Sequence, residues 1–406
     1  MRDFWGFAPS LSGAGLNPGR KGWAASAAIL AGPLRRRLAF LTLLVAAVAL
    51  TACATRPESG FLLPVAASAP GATDHTILVA TTRERDDRPG TYFNGERSPS
   101  LSFAEITVSV PPNHVPSQVQ LASSPPGDPA TNFVVRDAEL LDGDRAFVAQ
   151  LNAQLALRPP GKRNVFLFIH GFNTMFAEGV YTAAQLVHDA RAPGVPVLFT
   201  WASRGRATQY IYDTNSATSA RDSLEHTLRL ILASNAERVN ILAHSLGNWV
   251  TVEALRQIKL SRDLDHANKI GLILLASPDI DIDVFKSQLR TFGTIHKPFY
   301  IILSRNDRAL AISNFIAGGQ TRVGNARDTE ELTELGATVI DLSDVKSNDS
   351  FNHDKFTELA TVAPELRDVL ASGIQVNPGS GGPGAATPGD AIVTLLGAPV
   401  RIVAGQ

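Results

Sequence analysis

A serine between small residues is the feature of this sequence with the chemistry of a nucleophile. In the stretch NILAHSLGNW, Ser245 has Ala243 two positions before it and Gly247 two positions after it. A serine on a sharp turn from a strand into a helix needs small residues there, because neighbouring backbone passes close to the turn. Ala243 replaces the more usual glycine, which adds only one methyl group. The pattern predicts a nucleophilic Ser245 on a turn formed by Ala243, His244 and Gly247.

A serine hydroxyl becomes nucleophilic when a histidine takes its proton and an acid orients that histidine. Where a serine lies on such a turn, the acid and the histidine follow it in the chain in that order. Three histidines follow Ser245. His266 lies in a polar connection and His296 precedes a predicted strand, at the wrong end of the sheet. His353 follows the last predicted strand, so we predict that it is the base.

Two aspartates are candidates for the acid, and both follow predicted strands. Asp307 comes after PFYIILS and Asp279 comes after IGLILLA. Asp307 is one strand nearer to His353, so we favour it and keep Asp279 as the alternative. Asp279 also begins a run of alternate aspartates, DIDID. This run lacks the glycine and the distal glutamate of a calcium loop, so we predict helix capping there and no metal site.

Acyl transfer also needs hydrogen-bond donors for the oxyanion of the tetrahedral intermediate. The backbone N–H of Leu246, at the start of the predicted helix, is the first candidate. The second is the N–H of Phe172 in the stretch His170-Gly171-Phe172-Asn173, which follows a predicted strand. Gly171 would let this loop turn tightly, and His170 would brace it. We therefore predict an oxyanion hole formed by Phe172 and Leu246.

Polar and aromatic residues near the ends of two predicted strands are candidates for contacts with a substrate. Asn173 follows one strand, and Trp201, Tyr210 and Tyr212 follow the next. Packing of the aromatic rings against one another is the alternative interpretation.

Apolar runs alternate with amphipathic ones along most of the chain. Runs such as VFLFI, ILLA and FYIIL are apolar without alternation, as expected for strands that helices cover on both faces. The first two runs, 76–83 and 104–111, are joined by a polar loop without a helix. We therefore predict an α/β fold with a mainly parallel sheet, an antiparallel N-terminal edge, and helices on both faces.

The N-terminus predicts export and a lipid anchor. Three consecutive arginines precede the apolar stretch 38–50, which is too short to span a membrane and is typical of a secretory signal. The stretch ends in LTAC, which resembles the lipobox of bacterial lipoproteins, so Cys53 is the predicted lipidation site. Residues 1–33 are longer than a signal needs, and we expect translation to start downstream of Met1. Ala54 follows the cysteine, so we expect the periplasmic face of the outer membrane.

Composition divides the rest of the chain and excludes several functions. Residues 54–74 are rich in proline, alanine and serine and predict a flexible tether, 75–374 form the predicted domain, and 375–406 form a Gly/Pro-rich tail. The apolar segment 391–403 of that tail has no predicted place. The 37 basic residues nearly balance the 38 acidic ones, which argues against nucleic acid as a partner. One cysteine allows no intramolecular disulfide, and no phosphate-binding loop, dinucleotide motif or HExxH is present, so we predict no cofactor.

Taken together, these segments resemble the α/β-hydrolase superfamily, and within it a bacterial esterase/lipase-like family of unknown function. The resemblance is carried by VATTR, FIHGFNTMF, FTWASRG, AHSLGN, SPDIDIDVF and SRNDRALAIS, in this order along the chain. It implies a serine hydrolase without indicating the substrate.

The predicted function is that of a lipid-anchored serine hydrolase of the cell envelope that cleaves a small-molecule or lipid ester. A serine peptidase or acyltransferase is the alternative within enzymes, because the same three residues serve amides and other acceptors. An envelope interaction protein that keeps the fold without catalysis is the alternative outside enzymes. The sequence makes no prediction of the acyl chain length or the oligomeric state.

Overall fold

Parallel strands form the centre of the sheet that organises the domain. The computed structural model describes residue 56 and residues 59–261, 267–292, 299–347, 349–362 and 390–404. The described strands form one sheet in the order β10-β11-β9-β8-β7-β6-β4-β5-β1-β2-β3. Their bounds are β1 Thr73–Asp86, β2 Tyr92–Val110, β3 Val134–Leu141, β4 Asn164–Ile169, β5 Val195–Thr200, β6 Arg238–His244, β7 Ile270–Ala276, β8 Phe299–Leu303, β9 Thr338–Asp341, β10 Asp390–Leu395 and β11 Ala398–Val403.

Helices connect the central strands. Their bounds are α1 Gly143–Ala156, α2 Phe176–Asp189, α3 Tyr210–Ala233, α4 Gly247–Leu260, α5 Ile282–Phe292, α6 Arg308–Ile316, α7 Glu330–Glu334 and α8 Lys355–Thr361. All of these elements belong to one compact unit, Pro57–Gln406. No helix in the described ranges is long and apolar enough to cross a membrane.

Seven consecutive strands of the sheet, β9-β8-β7-β6-β4-β5-β1, pair in parallel with one another. Strand β5 is buried at all six positions, as expected where helices cover both faces. The C-terminal ends of β4, β6, β8 and β9 therefore meet at one edge of the sheet, which we call the C-terminal edge. Strands β1 and β2 pair antiparallel, and β3 continues that antiparallel arrangement. The predicted α/β fold with an antiparallel N-terminal edge is confirmed.

The predicted tether 54–74 is wrong from Phe61 onward. Phe61 and Leu62 are 8% and 0% exposed, and the Leu62 N–H donates to the carbonyl of Gly90 at 2.9 Å. The hydroxyl of Tyr181 donates to the Phe61 carbonyl. Burial of large apolar side chains such as these stabilises the packed state over a free tether. The packed domain therefore begins well before residue 75.

The apolar segment of the predicted tail, 391–403, belongs to the sheet. Strands β10 and β11 form a hairpin, and β11 pairs antiparallel with β9. Val400 and Ile402 of β11 are fully buried. The predicted domain boundary at 374 is therefore too early, because the chain returns to complete the sheet.

Several predictions fall on residues outside the described ranges. These are the signal and translation start within 1–53, the lipidation site Cys53, the rejected histidines His266 and His296, and most of the Gly/Pro-rich run 375–389. The sequence also predicts a last helix over 353–371, and its part from residue 363 onward lies outside the described ranges.

Candidate active site

Ser245 lies on a sharp turn between β6 and α4. Its φ is 51°, in the left-handed region that residues other than glycine rarely adopt. A Cβ atom on Gly247 would lie 2.4 Å from the carbonyl oxygen of His170, and one on Gly171 would lie 2.7 Å from the Cβ of Ser245. The loop after β4 therefore passes so close to the turn that both positions require glycine. Strain of this kind persists only where surrounding contacts fix the backbone.

Asn248 is one of the residues that fix this turn, and sequence reasoning missed it. Its side-chain amide donates to the carbonyls of Ser245 at 2.9 Å and Ala276 at 2.8 Å. The Ser245 N–H also donates to the Ala276 carbonyl at 2.9 Å. Asn248 is fully buried on the first turn of α4. It thereby fastens the serine turn to the end of the neighbouring strand β7.

Asp307 and His353 come together at the C-terminal edge. Asp307 Oδ2 accepts a hydrogen bond from Nδ1 of His353 at 2.7 Å, and its other oxygen accepts the N–H of Leu310 at 2.9 Å. The second bond makes Asp307 the N-cap of α6, a helix that the sequence analysis did not predict. The N-terminus of a helix favours a carboxylate, so capping helps to keep Asp307 ionised and fixed. Asp307 caps a helix and orients a histidine at once.

The Asp307 carboxylate controls the charge of His353. Burial disfavours the charged imidazolium, but the hydrogen bond and the negative charge of Asp307 outweigh burial and raise the pKa of His353 to about 9. With Nδ1 bound to Asp307, Nε2 is the nitrogen left to take a proton from a nucleophile.

Backbone contacts hold the His353 loop beside the serine turn. The hydroxyl of Ser277 donates to the His353 carbonyl at 2.9 Å, and the Asp279 N–H donates to the Ser245 carbonyl at 3.2 Å. The His353 ring lies 4.7 Å from the ring of His244, the residue directly before Ser245. No hydrogen bond joins the Ser245 hydroxyl to His353 within the described ranges. Catalytic hydrogen bonds of this type commonly tighten only when substrate binds.

Asp279, the alternative acid, has other partners. The hydroxyls of Tyr210 and Ser313 donate to its two carboxylate oxygens at 2.9 Å and 2.6 Å, and the Arg322 guanidinium lies 3.3 Å away. Asp279 is 5% exposed, so it forms a buried polar cluster beside the serine turn. The structure therefore brings His353 together with Asp307 and not with Asp279.

The two amides predicted for the oxyanion hole are open in the described part of the structure. Within the described ranges, the N–H groups of Phe172 and Leu246 make no hydrogen bond. Two neighbouring amides are occupied: the Ser245 N–H is bound to the Ala276 carbonyl, and the Asn173 N–H donates to Asp213 at 3.3 Å. Unpaired amides beside a strained serine are the donors that a developing oxyanion requires.

A buried arginine organises the loop that carries Phe172. The Arg83 guanidinium donates to the carbonyls of Thr174 and Ser203, each at 2.7 Å, and to the hydroxyl of Thr200 at 2.8 Å. Arg83 is 1% exposed at the C-terminal end of β1. Burial lowers the pKa of Arg83 to about 10, which keeps it charged at neutral pH. Arg83 thus joins the loops after β4 and β5, a role that sequence reasoning missed.

His170 is part of the same support. Its ring nitrogens contact the Gly171 carbonyl at 2.8 Å and the Thr200 hydroxyl at 2.9 Å, and its ring stacks on Trp201. Burial and the Arg83 charge lower the pKa of His170 to about 3. His170 is therefore a neutral brace of the loop, in the position that the sequence analysis gave it.

The candidate substrate contacts separate into two groups. The Tyr210 ring lies 5.2 Å from the Phe172 ring, and Tyr210 donates to Asp279, so it lies beside the serine turn. Asn173 is in the same loop, with a φ of 58°. Trp201 is fully buried and donates to the His170 carbonyl, so its ring supports the loop. Tyr212 has other partners: the Arg204 guanidinium lies 3.6 Å from the centre of its ring, and its hydroxyl donates to Glu96 at 3.1 Å.

Two further side chains fix the ends of the neighbouring strands. The Lys355 ammonium donates to the carbonyls of Leu342 and Ser343 and to Asn306, so it joins the His353 and Asp307 loops. In the aspartate run, Asp281 accepts the N–H groups of Asp283 and Val284 at the start of α5. That is helix capping, as the sequence predicts.

Comparison with known protein families identifies the fold. Residues 145–371, more than half of the chain, match the family described as alpha/beta hydrolase of unknown function (DUF900). The chain belongs to this family. Among curated proteins, no match to the sequence is found. The matched residues include Ser245, Asp307, His353 and the loop of Phe172.

Proposed function

We propose that the protein is a serine hydrolase that cleaves carboxylic esters with Ser245, His353 and Asp307. The observation that carries the proposal is the 2.7 Å bond between His353 and Asp307, next to a serine held at a strained strand-to-helix turn. Membership of an alpha/beta hydrolase family supports a hydrolytic reaction.

In this mechanism His353 Nε2 takes the proton of the Ser245 hydroxyl while Oγ attacks the ester carbonyl carbon. The carbonyl oxygen becomes an oxyanion and is bound by the N–H groups of Phe172 and Leu246. His353 then gives its proton to the leaving alcohol oxygen, and an acyl-enzyme on Ser245 remains. Water attacks that acyl group with His353 again as base, which releases the carboxylic acid and restores Ser245.

Asp307 holds His353 in the tautomer that keeps Nε2 free and stabilises the imidazolium that forms. The same carboxylate gives His353 its raised pKa, about 9. Only the neutral imidazole accepts the serine proton, so we expect an enzyme that works best under alkaline conditions.

We also propose that the mature protein is anchored to the periplasmic face of the outer membrane by acyl chains on Cys53. The sequence LTAC after a basic and apolar segment supports this proposal. Multiple acyl chains give stable anchoring, whereas a single chain binds reversibly.

The test is hydrolysis of a p-nitrophenyl acyl ester by the wild-type chain and by Ser245→Ala, with thermal unfolding as the control for folding. We expect the variant to lose about 10⁴-fold or more in kcat/KM with an unchanged unfolding temperature. The matched p-nitroanilide tests amides, which we expect to react much more slowly. A folded Ser245→Ala variant that keeps wild-type turnover excludes the mechanism.

A further inference from the structure

Exposed apolar side chains lie on elements at the C-terminal edge. Helix α6 begins at the catalytic acid and exposes Ile312, Phe315 and Ile316, which are 52%, 85% and 48% exposed. Their spacing of three and four residues puts them on one face of the helix. The opposite face is anchored, since Leu310 and Ser313 are buried.

Two more exposed apolar residues are connected to this helix. Ile211, 65% exposed, follows Tyr210, whose hydroxyl oxygen lies 2.7 Å from the hydroxyl oxygen of Ser313 on α6. Phe351, 48% exposed, offers its carbonyl to the N–H of Arg308 at 2.8 Å. We call these five residues the apolar rim: Ile211, Ile312, Phe315, Ile316 and Phe351. Single exposed apolar residues are ordinary, whereas several together at a site mark an interaction surface.

The chain that leads to the lipidation site departs from the same edge. Ser59 and Phe61 line a cavity of about 440 Å³ together with Met175, Ser203 and Arg204. Ser203 and Arg204 follow the C-terminal end of β5, and Met175 precedes α2. The packed N-terminal segment therefore starts at the edge that also carries Ser245.

Few residues separate that point from Cys53 in the sequence. The chain advances six residues from Cys53 to Ser59. Six residues span at most roughly 20 Å when fully extended. If Cys53 carries acyl chains, as the proposed function holds, the C-terminal edge cannot be far from the bilayer.

One basic residue beside the apolar rim also fits a bacterial membrane surface. Arg308, on the first turn of α6, is exposed and has no acidic partner within the described ranges. A basic residue beside exposed apolar side chains suits the anionic headgroups and the acyl boundary of a lipid surface.

We infer that the apolar rim docks on the lipid bilayer and places the Ser245 site against the membrane surface. The substrates that reach the site in this orientation are esters of membrane lipids. The inference rests on the proposed acylation of Cys53 and deepens the proposed function by naming the substrate class.

The test uses the full chain in its natural processed form, reconstituted into vesicles of phosphatidylethanolamine and phosphatidylglycerol. Cys53 is the only cysteine, so once it is acylated a new thiol is the single site for a nitrobenzoxadiazole dye. The variants are Phe315→Cys and Ile312→Cys. The matched control is Leu157→Cys: Leu157 is 84% exposed but lies after α1, at the opposite edge of the sheet.

We expect the dye at positions 312 and 315 to emit at shorter wavelength and to be quenched by aqueous iodide about fivefold less than at position 157, because a docked apolar face enters the headgroup boundary. Equal quenching at all three positions overturns the docking. Protection that increases with the ratio of protein to lipid shows a second copy as the occupant and also overturns it.

Failure of the docking can be distinguished from failure of the proposed lipid anchor and from failure of the proposed ester hydrolysis. Dye found on Cys53 by mass spectrometry shows that the anchor is absent. In that case, quenching measured with added vesicles still tests the docking. A labelled chain that does not bind the vesicles overturns it. Failure of the ester mechanism is detected at Ser245 itself and does not affect the quenching result.

Discussion

The loop after β9 and the loop after β4 each bring a histidine to the C-terminal edge, and the two histidines have opposite charged neighbours. His353 is bound to the Asp307 carboxylate, which raises its pKa to about 9. His170 is enclosed next to the Arg83 guanidinium, and its pKa falls to about 3. Both rings are largely or fully buried, so the sign of the neighbouring charge decides which one can exchange a proton at ordinary pH. In the proposed mechanism, one region supplies the acid–base chemistry and the other supplies a rigid wall for the oxyanion.

Asp307→Asn breaks this contrast most strongly, because His353 then loses the carboxylate that orients and charges it. We expect kcat/KM for an activated ester to fall by about 10³- to 10⁴-fold. The matched variant is Asp279→Asn, at the aspartate bound to Tyr210 and Ser313, which should lose much less. Steady-state kinetics on both variants checks the assignment, and a larger loss in Asp279→Asn would reverse it.

The pH dependence of the wild-type enzyme tests the same contrast without a mutation. His353 must be neutral to accept the serine proton, and a group with a pKa of about 9 is mostly protonated at pH 7. We therefore expect kcat/KM to rise with pH through an inflection near pH 9 and to level off above it, with a gain of about 100-fold from pH 7 to the plateau. In Asp307→Asn the remaining activity should level off at lower pH. An inflection below pH 6 in the wild-type profile contradicts the charge state given to His353.

Arg83→Met tests the region around His170. The change leaves the buried carbonyls of Thr174 and Ser203 without their donor, so the loop of Phe172 should loosen. We expect kcat to fall by about 10- to 100-fold, with KM less affected, since an oxyanion donor acts mainly in the transition state. Arg97→Met is the matched control. Arg97 lies directly opposite Arg83 in the register of β1 and β2, but its side chain is exposed. Equal losses in the two variants would show that Arg83 has no special role in holding the Phe172 loop.

Gly171→Ala sharpens the comparison at the contact between the two regions. The added methyl group would lie 2.7 Å from the Cβ of Ser245, so we expect a loss of about 1–3 kcal/mol in the free energy of unfolding. Gly179→Ala in α2 is the control, because its nearest neighbours lie 3.7 Å away and alanine favours a helix. Denaturant unfolding of both variants measures the difference. A Gly171→Ala chain as stable as Gly179→Ala would mean that the close approach is not as tight as described.

The sequence predicted what depends on local pattern. The α/β fold follows from alternating apolar and amphipathic runs, and it is confirmed. The serine turn, the strand-end aspartates and the final histidine are each marked by short motifs at strand ends, and the structure brings Ser245, Asp307 and His353 to one edge. Their catalytic roles stay predictions.

The supports of the site were not predictable, because they depend on contacts between distant parts of the chain. Arg83 lies more than a hundred residues before Ser203, whose carbonyl it binds, and no local pattern marks either residue. The same holds for the hairpin of β10 and β11, which follows a Gly/Pro-rich run and pairs with β9. Phe61 and Leu62 were overlooked because proline, alanine and serine dominate their segment.

The most direct test of the central claim is labelling of the folded chain with a fluorophosphonate probe, followed by peptide mapping by mass spectrometry. Ser277 is an internal control, because it has a similar φ of 45° at the end of β7 and contacts the His353 backbone, but is not placed as the nucleophile. We predict an adduct on Ser245, none on Ser277, and none in Ser245→Ala. A folded wild-type chain that is labelled at Ser277 instead, or at no serine, would contradict it.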